Sequence, residues 1–158
     1  MNLRKPDIGY IPTSPQIVES MLSLAKLSSQ DILYDLGSGD GRILITAAQK
    51  YGTKVVGIDI DPQRIQQGQK NAQAAGLTSL VEFRHQDLFA ANFSEATVVI
   101  MYLLPHLNLR LRSQLWQQLQ PGAKVISRDF KLGDWEPSQT ISLETEQEEV
   151  TLYYWQIQ

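Results

Sequence analysis

Asp35-Leu36-Gly37-Ser38-Gly39-Asp40-Gly41 decides how this chain is read. A short apolar run, Ile32-Leu33-Tyr34-Asp35, stands before it and reads as a buried strand. After it, Ile43, Leu44, Ala47, Ala48 and Tyr51 fall on one helical face, and Gly52 ends the helix. A strand ending in an acid, a glycine-rich bend and a helix together make a ligand cradle. The glycines let backbone approach a ligand that side chains would block. The helix N-terminus adds N–H groups without partners.

Outward from this loop, helix and strand patterns alternate. Ser14-Pro15 opens a helix with Ile17, Val18, Met21, Leu22 and Ala25 on one face. A second strand spans 54–59. Asp61-Pro62 caps a third helix, closed by Gly76. Residues 80–84 read as a strand, and 97–102 as the most apolar strand, which belongs in the sheet centre. Leu107, Leu111, Leu115 and Leu119 mark a helix stopping at Pro121-Gly122, before a strand at 123–127. Residues 139–144 and 150–157 alternate polar and apolar, which reads as an antiparallel hairpin. The stretch 128–138 is too short for another full helix. The expected fold is α/β: a doubly wound, mostly parallel, seven-stranded Rossmann-like sheet with a C-terminal antiparallel hairpin.

The chain has 158 residues, 42% of them hydrophobic, and a net charge of −3. That is the size of one ordinary domain, so residues 1–158 are read as one unit. The acidic balance argues against a nucleic-acid partner; Arg110 with Arg112 is the only basic hint. With no cysteine there is no thiolate catalysis or disulfide, and two scattered histidines offer no metal site. Met1 to Pro6 lead into no apolar segment, and the longest apolar run, 98–104, is far short of a membrane span, so the expected location is cytoplasmic.

Spacing and charge narrow the ligand. A dinucleotide loop reads G-x-G-x-x-G, because a pyrophosphate sits on the helix N-terminus. Here Gly37, Gly39 and Gly41 bring the third glycine one residue early, and Asp35 and Asp40 flank the bend. Carboxylates repel a pyrophosphate and attract an ammonium or sulfonium. No Gly-Lys-Ser/Thr is present, so a P-loop fails. S-adenosyl-L-methionine is therefore the expected cofactor. Asp59, roughly 20 residues beyond Gly37, is placed to accept from ribose hydroxyls. Asp87 is placed to accept from the adenine amine, with Leu88 packing on the ring. The full donor set is Asp35, Gly37, Ser38, Gly39, Asp40, Gly41, Asp59, Ile60, Asp87 and Leu88. Asp61 is read only as a helix cap.

The stretch from Asp35 to Ile43, with Val56-Gly57-Ile58-Asp59, resembles the class I, seven-stranded S-adenosylmethionine-dependent methyltransferases. Further stretches extend the likeness over about residues 8 to 138: Tyr10-Ile11-Pro12-Thr13-Ser14, Gln16 to Glu19, Asp87-Leu88-Phe89, Val98-Val99-Ile100, Ala123 to Ile126 and Asp134-Trp135-Glu136-Pro137. Together they resemble the protein-lysine methyltransferases of the ATP synthase c-subunit and adenine nucleotide translocase type. The eukaryotic members carry a hydrophobic membrane segment not seen here, and Met101 to His106 match only in part. The resemblance implies methyl transfer to a lysine amine, with Tyr10, Tyr102 and Trp135 as aromatic walls at the reacting centre, and with residues 1–30 covering the cofactor. His106 is read as the only imidazole near the site, and His85 as structural. Two alternatives remain: a small-molecule methyltransferase, and a non-catalytic module that binds S-adenosylmethionine or a nucleotide. The sequence leaves the oligomeric state open.

Overall fold

A computed structural model describes residues 13–146 and 148–158. Seven strands form one sheet: β1 (Ile32–Leu36), β2 (Lys54–Asp59), β3 (Val81–His85), β4 (Val98–Met101), β5 (Lys124–Arg128), β6 (Gln139–Glu144) and β7 (Glu149–Gln156). Their order is β3-β2-β1-β4-β5-β7-β6. The first five run parallel, and β7 is antiparallel to both β5 and β6. β4 is the middle strand, as its unbroken apolar content requires. The winding reverses between β1 and β4. That reversal opens a crevice at the carboxyl ends of the strands, where sheets of this kind bind ligands.

Side-chain alternation sends Leu33, Val55, Val98, Ile100 and Ile126 to one face, where they pack with residues of α1 (Pro15–Ala25) and α2 (Arg42–Tyr51). Ala72 of α3 (Pro62–Ala74) joins that same core. Tyr34, Val56, Val99, Met101 and Val125 face α4 (Pro105–Gln118). The helix starts follow their caps. Pro15, Pro62 and Pro105 each occupy a first turn, and the Asp61 side chain accepts from the Gln63 N–H. Leu107, Leu111, Leu115 and Leu119 are all buried. Strand limits differ from the expected ones by one residue at one or both ends for β1, β3, β4, β5 and β7. A short 3-10 turn, Leu88–Ala90, had no periodic signal at all.

The connection from β5 to β6 carries no helix, so something else must cover that part of the sheet. Trp135 does so. Its ring lies 3.7 Å from that of Trp116 and 5.3 Å from that of Trp155, and its carbonyl accepts from Trp155 Nε1 at 2.9 Å. Asp134 pairs with Arg112 of α4 and fixes the same loop. α4 begins at the carboxyl end of β4 and runs back along the sheet. Trp116 therefore lies on the order of 16 Å from that end. These partners pack Trp135 between the last turns of α4 and β7. Trp135→Ala is expected to cost about 1–3 kcal/mol of stability. Turnover well below the melting range should stay within about twofold. A larger loss of turnover by fully folded variant would place Trp135 at the site.

Candidate active site

After β1 the chain bends through Gly37 (φ 88°), Gly39 (φ 59°) and Gly41 (φ 83°), all in the left-handed region. The amides of Gly37 and Ser38 both donate to the Ile58 carbonyl, at 2.8 and 3.1 Å. Gly39 N–H donates to Asp59 Oδ2 at 3.0 Å, Gly41 N–H to the Ser38 carbonyl, and Arg42 N–H to Asp40 Oδ1. These amides are spent on the protein itself. A pyrophosphate site needs such N–H groups open, and these five are not.

The acids separate into different environments. Asp59 is buried, and its second oxygen accepts from Asp61 N–H at 2.9 Å. Asp40 is chelated by Arg42, at 2.8 Å to Nη2 and 3.2 Å to Nε, and Arg42 Nη1 also donates to the Thr13 carbonyl. Asp40 therefore brings a matched charge, not the bare one expected from the sequence. Asp35 is the exception. It is 3% exposed, and its Oδ2 has no hydrogen-bond partner. Burial first, then the charges of Asp59 and Asp40, push its carboxyl well above the ordinary range. Ser38 Oγ, close by in the bend, is also buried without a partner.

Asp87 caps the 3-10 turn by accepting from Phe89 N–H at 3.1 Å. Leu88 is buried in the α4-side core, and Ile60 is half-buried with its carbonyl 3.0 Å from His85 Nε2. Met101 pairs with Leu36 in the sheet register. Tyr102 follows directly after the last residue of β4, as Gly37 follows β1. Leu103 Cδ2 would lie 3.4 Å from a Cβ built on Gly37. The half-buried Tyr102 ring stacks near-parallel on Phe130 at 6.3 Å, and the Arg128 guanidinium lies over it at 4.5 Å. Next to that stack, Pro105, His106, Leu109, Asp129, Phe130 and Lys131 line a cleft of about 480 Å³. Tyr10 lies outside the described residues.

Residues 35–139, from the acid of β1 to the first residue of β6, match the ANTKMT methyltransferase domain family. The chain belongs to that family. The methyltransferase is 39% identical over 153 residues to a protein-lysine N-methyltransferase of Saccharolobus islandicus, a match covering 96% of this chain and 95% of that one. It is 31% identical to the adenine nucleotide translocase lysine N-methyltransferase of Mus musculus over 82% of its length, but spans only 56% of that protein. Among solved structures it resembles an RNA methyltransferase from Salinibacter ruber bound to S-adenosyl-L-homocysteine: 51% identity, TM-score 0.89, covering 93% of this chain and 94% of that one.

The methyltransferase uses S-adenosylmethionine, and its residues fit that donor. Asp35 offers a buried acceptor lacking a partner, which the donor's ammonium can fill. Asp59 sits at the β2 terminus with lone pairs left for ribose hydroxyls. Gly37 leaves its side-chain space nearly open. Sequence reasoning does not single out Arg128, Thr13 or Phe130. The available signal was Arg128 itself, a charged residue ending a buried strand. Among the described residues, no helix is long and apolar enough to cross a membrane.

Proposed function

We propose that this methyltransferase methylates the ε-amine of a protein lysine. What carries the reading is the placement of an aromatic ring, Tyr102, directly after β4, the strand that pairs with β1 ahead of the donor bend. The archaeal lysine methyltransferase that matches nearly end to end supports the same acceptor. S-adenosylmethionine supplies an electrophilic methyl on a sulfonium. Asp35 and Asp59 hold that donor. Tyr102 walls the path by which the amine nitrogen approaches in line. A lysine amine has a pKa of roughly 10.4 in water and must be neutral to attack. Burial against Tyr102 and Phe130 favours the neutral form. Orientation alone contributes on the order of 7–11 kcal/mol in well-aligned transfers. Thr13, where the described residues begin, is tied to Arg42 and Arg128.

One observation favours a second acceptor: the Salinibacter ruber relative, at 51% identity, is described as an RNA methyltransferase. One experiment separates the two. The enzyme is incubated with methyl-labelled donor and host lysate. Label should enter protein, survive ribonuclease and map to lysine. Label removed by ribonuclease would establish the RNA acceptor instead, and label confined to small molecules would overturn both.

A further inference from the structure

Arg128 is 3% exposed at the carboxyl end of β5, yet nothing in donor binding calls for a cation there. Its guanidinium is fully engaged. Nη1 donates to Thr13 Oγ1 at 3.1 Å, Nη2 to Glu148 Oε2 at 2.7 Å, and Nε to Asp129 Oδ2 at 3.4 Å. The plane lies over Tyr102 at 4.5 Å. Burying a cation is costly unless its donors are met, and here every nitrogen has an acceptor. Asp129 bends to do this. It adopts φ 66°, a left-handed conformation uncommon outside glycine, secured by 2.7 Å and 3.0 Å hydrogen bonds with the Thr151 backbone. Thr13 is shared as well, since its carbonyl accepts from Arg42, which grips Asp40 of the donor bend.

We propose that Arg128 is a positioning residue for methyl transfer: it sets the Tyr102 ring at the acceptor wall and, through Thr13 and Arg42, holds that wall in register with the donor bend. The inference rests on Tyr102 facing the acceptor, as proposed above, but not on the acceptor being lysine. An Arg suits the role because its planar fork serves three acceptors while its face stacks on an aromatic ring. A lysine in its place keeps the charge and loses both the fork and the stack.

The test uses the full chain, labelled donor and unfractionated host lysate as the acceptor mixture, so a rate is read whatever class of acceptor is present. Arg128→Lys is expected to lower the saturating rate about 10- to 100-fold, the scale of a misplacement near 1 Å. The half-saturating lysate concentration and the affinity for S-adenosylhomocysteine, by calorimetry, should stay within about threefold, because the substitution leaves Asp35, Asp59 and the Tyr102 and Phe130 rings in place and shifts only their alignment. In a Tyr102→Ala background the same substitution should cost nothing further, since its effect runs through the ring. Glu148→Gln loosens the guanidinium without removing it. It should reproduce the pattern at about 3- to 10-fold and decides the matter if Arg128→Lys does not fold. An unchanged saturating rate, losses that multiply in the double variant, or a loss seen only as weaker homocysteine binding would each overturn the role. Label found in RNA or metabolites would remove the lysine reading and leave this comparison standing.

Discussion

Asp35→Asn is expected to raise the thermal midpoint of the ligand-free methyltransferase and to weaken S-adenosylhomocysteine binding about 10- to 100-fold. Both effects come from one buried oxygen with no partner. In the ligand-free protein the carboxylate is buried among other acids, which lifts its pKa well above the usual carboxylate range. The folded state then binds more protons at this position than the unfolded chain does. Stability falls wherever the folded state holds the extra proton. The loss therefore begins near the unfolded value, roughly pH 4, and grows as pH rises through the folded one. Asparagine abolishes that slope. The donor's ammonium reverses the electrostatics: pairing with it drops the Asp35 pKa, so binding releases a proton where the ligand-free acid is protonated. Melting curves across pH and calorimetry in buffers of differing ionisation enthalpy measure both parts. A variant no more stable than the parent, or one binding as tightly, would remove Asp35 from the donor site.

Local chemistry made most of the fold readable. The glycine bend, the proline starts of α1, α3 and α4, and the period-two pattern of β6 all depend on neighbours a few residues away. The places of Asp35 and Asp59 near the carboxyl ends of their strands were readable for the same reason. Pairings across distance were not. Trp135, Trp116 and Trp155 are separated along the chain, and no period in the sequence says that they stack. The Arg42 partner of Asp40 was not legible even at short range, since only the geometry of the helix start brings that side chain back onto it. Arg128 shows in the sequence only as a charge at a strand end, because its meaning lies in Thr13, Glu148 and Tyr102, which three other segments supply.

Gly41 shows how one residue type can serve two purposes in one bend. Gly37 leaves room at the donor, whereas a Cβ on Gly41 would lie 2.5 Å from Phe83 Cζ and 2.9 Å from Cε1. Gly68 of α3 presses the same ring, with a built Cβ 2.6 Å from Cε1. The third glycine is thus a packing device: it lets the start of α2 and the middle of α3 close on a β3 side chain. Gly41→Ala should cost about 1–3 kcal/mol for the left-handed backbone and a similar amount for the overlap, on the order of 2–5 kcal/mol together. At this chain length the midpoint should fall by about 5–15 °C. Phe83→Leu in the same chain removes the overlap and leaves the backbone cost, so the double variant should regain about half of the lost stability despite itself being a large-to-small change. Donor affinity measured on folded protein should recover in parallel, because the bend is restored with the packing. If Phe83→Leu deepened the loss instead, the ring would not be what Gly41 accommodates, and the glycine would have to be assigned to the ligand after all.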